Sequence, residues 1–111
     1  MKLYNLQTMS LHYFKTHDDD FYYRKISYVK KIKINNRTFF IFNKGHTYYY
    51  FTNIKFPDIK NIKNCEDKDL VLHSEKGQPA MIDSEGAVKQ WFKEGILHRD
   101  NDLPAYTSTQ S

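Results

Sequence analysis

The stretch PDIKNIKNCEDK, residues 57–68, sets Asp58 ahead of Glu66-x-Lys68. These are the residue types with which a PD-(D/E)xK nuclease holds Mg²⁺ and stabilises developing charge. That chemistry needs two adjacent apolar strands to bring the carboxylates together, and none precedes Glu66. A solvated linker is the better reading. HDDD at residues 17–20 crowds oxygen ligands together without the spacing or the glycine of a calcium loop, and reads as a turn that interrupts strand pairing. His12, His17, His46, His73 and His98 show no HxH, HxxxH or HExxH spacing. Cys65, followed by Glu66 and Asp67 that disfavour a thiolate, has no nucleophile signature. No catalytic set, metal or cofactor is expected.

Binding is better supported. Residues 1–64 hold twelve Lys/Arg and four Asp, a charge of +8, whereas residues 65–111 carry −4. Fifteen of the eighteen aromatic residues also fall within residues 1–56, so the basic part is the aromatic part. Arg24, Lys25, Lys31 and Lys33, with Arg37 and Lys44 at adjacent turns, could track phosphates while Tyr22, Tyr23, Tyr48, Tyr49 or Tyr50 stack on bases. The same tyrosines suit a protein interface. No RNP, OB or KH pattern accompanies them, so solubilising lysines and core tyrosines are the simpler reading.

The elements that must position these residues are mostly strands. High aromatic content with only four Gly and three Pro favours a mainly β or α+β domain, and 111 residues suffice for one. LQTMSLHYFK reads as a strand ending at THDDD. In FYYRKISYVKKIKI, Tyr22, Ile26, Tyr28, Ile32 and Ile34 alternate with Lys25, Ser27, Lys31 and Lys33, giving the strongest strand pattern in the chain. Asn35-Asn36 and Lys44-Gly45 supply turns into RTFFIFN and HTYYYFT, completing an antiparallel meander over residues 1–56. FFIF and YYYF do not alternate, which predicts that both faces are covered. Residues 57–69 form a linker or short helix through the Pro57-Asp58 opening and the Ile59/Ile62 spacing. Residues 70–107 read as four short strands in hairpins, and residues 108–111 as a polar tail.

Within the acidic part, residues 68–82 repeat at 93–107 with an offset of 25, matching Lys68/Lys93, Leu72/Leu97, His73/His98, Pro79/Pro104 and Ala80/Ala105. Two copies extend an existing sheet more readily than they stand alone. WFKEGILHRDNDLPA, residues 91–105, resembles the W-[FY]-x-x-G-x-x-H-R-x-x-x-x-P-A repeat of small phage and large-virus proteins of unassigned function, and is loosely similar to MORN-type hairpin repeats. The resemblance covers residues 72–106. Trp91, Phe92, Gly95, His98, Arg99, Pro104 and Ala105 occupy the motif positions. In the first copy Leu70 replaces the glycine, Ser74 the arginine and Glu66-Asp67 the aromatic pair. The resemblance implies a β-hairpin scaffold and a viral source, with no reaction attached.

On the residues alone Trp91, Gly95, His98, Arg99 and Pro104 read as structure: a positive-φ turn, an apolar face, a ring that bonds a neighbouring turn, a guanidinium bracketing Asp100 or Asp102, and a strand end. Lone Cys65 and the absence of an export signal in MKLYNLQTMSLHYF fit a reducing cytoplasm, the host's if the source is viral, and no apolar run is long enough to span a membrane. Lysine supplies 14 of the 17 basic residues, as AT-rich coding sequence tends to produce. The expectation is a non-enzymatic phage accessory protein that inhibits or redirects a host protein, in the manner of a counter-defence inhibitor. A nucleic-acid-binding module using the basic sheet is the alternative, with a metal-dependent nuclease at Asp58, Glu66 and Lys68 as a third reading. The sequence leaves oligomeric state open.

Overall fold

The computed structural model of the chain describes residues 8–16, 25–83 and 85–109. The fold is mainly β. In chain order it runs α1 (Leu11–Thr16), β1 (Ser27–Ile34), β2 (Arg37–Lys44), β3 (Thr47–Asn53), β4 (Leu70–Leu72), β5 (Met81–Ile82), β6 (Val88–Gln90), β7 (Phe92–Lys93), β8 (Ile96–Leu97) and β9 (Tyr106–Ser108). The first seven-stranded sheet has the order β1-β2-β3-β5-β6-β9, with β4 also pairing β3. A two-stranded ribbon, β7-β8, completes the set.

The meander forms as its turns dictate. Asn35 and Asn36 sit at φ 54° and 67°, the left-handed pair that a two-residue hairpin requires. The next turn falls on Gly45-His46, one residue later than expected, because Lys44 pairs with Thr47. All four side chains of FFIF are buried, so this central strand is covered on both faces by the chain itself. Tyr48 is exposed, however, and only Phe51 of the YYYF run is fully buried.

The face assignment of β1 needs correction. Tyr28 pairs with Phe42 but Lys30 pairs with Ile41, so Val29 is an extra residue in a bulge. A bulge reverses the alternation beyond it. Tyr28 therefore shares a face with Lys31 and Lys33, its ring 5.5 Å from Phe42, and Ile32 lies on the opposite face with Phe39 and Lys30.

One face of the sheet carries the core: Phe40, Phe42, Phe51, Leu70 and Leu72, joined by Leu11, Ala80 and Phe92. The expected first strand is instead α1. Ser10 accepts a bond from Tyr13 N–H at 3.2 Å, capping the helix. Leu11 and Phe14, three apart, then meet the same core, with Phe14 4.9 Å from Tyr49. The 57–69 stretch is correspondingly not α-helical and holds two 3₁₀ turns, Ile62–Asn64 and Asp67–Asp69. Asn61 takes Lys63 N–H, and Asn53 takes both Lys55 and Phe56 N–H, so asparagine side chains claim donors that a longer helix would use. Ile59, Ile62 and Cys65 still pack on the core.

From Leu70 onward there are six short strands rather than four: the β5-β6 hairpin links the end of the first repeated segment to the run before the second, and the β7-β8 hairpin opens the second. Within each copy the two arms lie end to end along one strand. β4 and β5 both pair β3, while β8 pairs β7 and β9 pairs β6 along the continuous run 88–93. Tyr50 N–H donates to Ala80 O and Tyr50 O accepts from His73 N–H; Trp91 makes the same two bonds with Ala105 and His98. Tyr50-Phe51 is therefore the aromatic pair of the first copy, in place of Glu66-Asp67. Tyr50 and His73 are 23 residues apart where Trp91 and His98 are 7 apart, so sixteen additional residues enter at the first copy's turn.

Candidate functional site

Each arm of the repeat is built on a histidine and an acid two residues later. In the first copy His73 Nε2 lies 2.9 Å from Glu75 Oε1; in the second His98 Nε2 lies 2.8 Å from Asp100 Oδ1. The following residues turn through positive φ in both, Lys76-Gly77 and Asn101-Asp102. Gln78 N–H then bonds Glu75 O and Leu103 N–H bonds Asp100 O. The common Pro-Ala leads the chain back to the strand.

The two histidines differ in what surrounds them. His73 is buried, stacks on Phe39 and accepts Glu94 N–H on Nδ1 at 3.0 Å, so its proton resides on Nε2 and is donated to Glu75. Arg37 Nη1 stands 3.4 Å from that Nε2, Nε bonds Thr52 Oγ1 at 3.2 Å, and Nη2 faces Glu94 at 4.0 Å. Burial and then the Arg37 charge push His73 below its ordinary pKa, over the opposing pull of Glu75 and Glu94. Burial acts to raise Glu75, but hydrogen bonds from Asn35 and His73, together with the charges of His73 and Arg37, leave it lowered. This is a polar core joining β2, the first arm and the tip of the second repeat. His98 by contrast is exposed, and its hydrogen bond holds Asp100 below the usual carboxylate range.

Between the two arms lies a cleft of about 350 Å³, with His73 and Glu75 on one side, His98 and Asp100 on the other, and Trp91 and Phe92 among its lining. Trp91 Nε1 donates to Gly77 O at 2.8 Å, while Arg99 places its guanidinium 3.7 Å from the Trp91 ring centroid and bonds Pro104 O at 3.3 Å. Arg99 is thus held by Trp91 and Pro104, not by Asp100 or Asp102. Gly95 turns at φ 89°, and a Cβ there would collide with Thr8 and crowd Val71. Pro104 is exposed just before β9.

The basic sheet is less convergent than its sequence suggests. Lys25, Lys31 and Lys33 are exposed, with Lys31 Nζ bonding Lys60 O at 2.9 Å, but Arg37 is drawn into the His73 network. Tyr49 packs among Phe14 and Phe51, whereas Tyr48 and Tyr50 lie on the opposite face from Lys31 and Lys33. Arg24, Tyr22, Tyr23 and the acidic run 17–20 lie outside the described residues. Asp58, Glu66 and Lys68 are exposed on the connecting stretch, and among the described residues no three His, Cys, Asp or Glu side chains converge on a metal position. The Cys65 thiol is pushed up, as expected, but by burial first and Asp69 second, with Asn53 opposing. No helix among the described residues is long and apolar enough to cross a membrane.

The network at His73 was hidden in the sequence because its members Arg37, Thr52, His73 and Glu94 come from four separated segments. Tyr50-Phe51 carried a readable signal, an aromatic pair of the W-[FY] kind, obscured by the sixteen added residues. No family model, curated protein or solved structure matches this chain.

Proposed function

We propose that this protein works by binding another protein: a non-enzymatic accessory protein, of the phage type its repeat resembles, that inhibits or redirects a host protein as a counter-defence factor. The observation that carries this reading is an apolar concentration at the second repeat. Four large apolar residues, Ile96, Leu97, Leu103 and Tyr106, stand exposed within one short segment beside the cleft. Exposed large apolar side chains of this kind suit an interaction surface. The viral and counter-defence parts rest on the sequence resemblance alone. The alternative, nucleic-acid binding, is favoured only by the exposed lysines of β1, which equally serve to guard an edge strand.

The test is retention of a stoichiometric protein from nuclease-treated lysates of AT-rich bacteria, lost in the Leu97→Asp/Leu103→Asp variant. Retention of nothing across such hosts would overturn the proposal. Salt-sensitive retention of single-stranded DNA or RNA, abolished by Lys31→Glu/Lys33→Glu, would establish the alternative in its place.

A further inference from the structure

The first copy of the repeat shows what its arm is built to receive. Along the outer edge of that arm, Leu72 N–H donates to Met9 O, Leu72 O accepts Gly95 N–H at 2.7 Å, His73 Nδ1 accepts Glu94 N–H at 3.0 Å, and Ser74 N–H donates to Phe92 O at 2.8 Å. The seated group is a hairpin tip, Phe92–Gly95, whose last two residues turn through positive φ and point consecutive N–H groups at a ring nitrogen and a carbonyl. The second copy presents the same edge. Leu97 N–H and O, His98 Nδ1 and Arg99 N–H are its equivalents, and none has a hydrogen-bond partner among the described residues.

Burial follows the same division. Val71 and Leu72 are each 1% exposed, while their counterparts Ile96 and Leu97 are 40% and 44% exposed. The His73 side chain is 8% exposed and that of His98 48%. The acid at the next-but-one position fixes Nε2 in both histidines, so Nδ1 is offered outward in both.

We infer that the edge Ile96–Arg99 is a receptor for a β-hairpin tip of a partner protein, a turn of the x-x-Gly kind that donates two successive backbone N–H groups to His98 Nδ1 and Leu97 O and covers Ile96 and Leu97. The inference deepens the protein-binding reading and rests on it. The occupant's chemistry is copied from the chain's own tip, which is already engaged by the first arm and so does not serve a second copy.

The probe is a disulfide-closed hairpin peptide carrying the sequence Trp91–Leu97, titrated into the full-length ¹⁵N-labelled chain. Saturable shifts are expected at the amides of Leu97, His98 and Arg99, with affinity reduced roughly tenfold in His98→Phe, the effect of losing one buried acceptor. A peptide with valine in place of its glycine should not bind, since valine does not take the required φ. His98→Phe alters an exposed side chain and leaves the fold intact, which the unperturbed spectrum of the remaining amides would verify. Absence of shifts at Leu97–Arg99, equal binding of the valine peptide, or self-association that covers these residues without peptide would each overturn the inference. Host-protein capture unaffected by His98→Phe would retain the protein-binding reading and discard this one.

Discussion

His73 and His98 occupy the same place in two copies of one motif, yet their substitution should have opposite consequences. Truncating His73 leaves Glu75 and the Glu94 N–H without this partner in a largely buried network. His73→Ala is expected to cost roughly 2–4 kcal/mol, against about 0.5 kcal/mol or less for exposed His98→Ala, read from urea midpoints. Acid should act through the same group. The folded state holds His73 below its ordinary value of 6.5, so as pH falls the unfolded chain takes up the proton first. Its contribution is complete above that value and declines below it, until the folded-state pKa is passed. Glu75, lowered from 4.5, adds a second loss in more acidic solution. Urea midpoints taken from pH 8 to pH 5 should therefore fall in the wild type and flatten in His73→Gln; a flat wild-type profile would contradict this. Gly95→Ala should cost more than about 2 kcal/mol, because positive φ and collision with Thr8 coincide there. Gly45→Ala, with open space around it, should cost only about 1–2 kcal/mol. Sequence indicated the Gly95 turn but not the neighbours that make it intolerant.

At the scale of elements, legibility followed the range of the interactions involved. The meander and its Asn35-Asn36 turn were readable because turn chemistry is local, and Asn36→Gly is expected to stabilise the hairpin by up to about 1 kcal/mol, measurable as a raised melting temperature. α1 was misread as a strand although Ser10 and the Leu11/Phe14 spacing announced a helix; its six residues are too few to stand out from an apolar run. The bulge at Val29 left no composition signal, since either register of β1 places lysines and apolar residues on both faces. The cleft was not foreseen: Trp91, His98 and Arg99 on its second-repeat side were singled out in the sequence, but as scaffold. Its His73 and Glu75 side depends on how one copy seats against the other, which follows from tertiary packing and not from spacing along the chain.

For the whole molecule, the docking of the Phe92–Gly95 tip on β4 ties the second repeat to the meander and core. The repeats are in this sense not independent beads. Trp91 records the consequence, being the one tryptophan of the chain, with its indole N–H bonded to the first copy at Gly77 and its ring under Arg99 of the second. Its fluorescence is therefore a built-in optical gauge of the junction between copies. Emission should shift to the red at the same urea concentration at which the far-ultraviolet dichroism of the sheet collapses, as for a single cooperative unit. It should also respond to any molecule that enters the cleft and lifts the guanidinium from the indole, so that occupancy could be followed without attaching a dye.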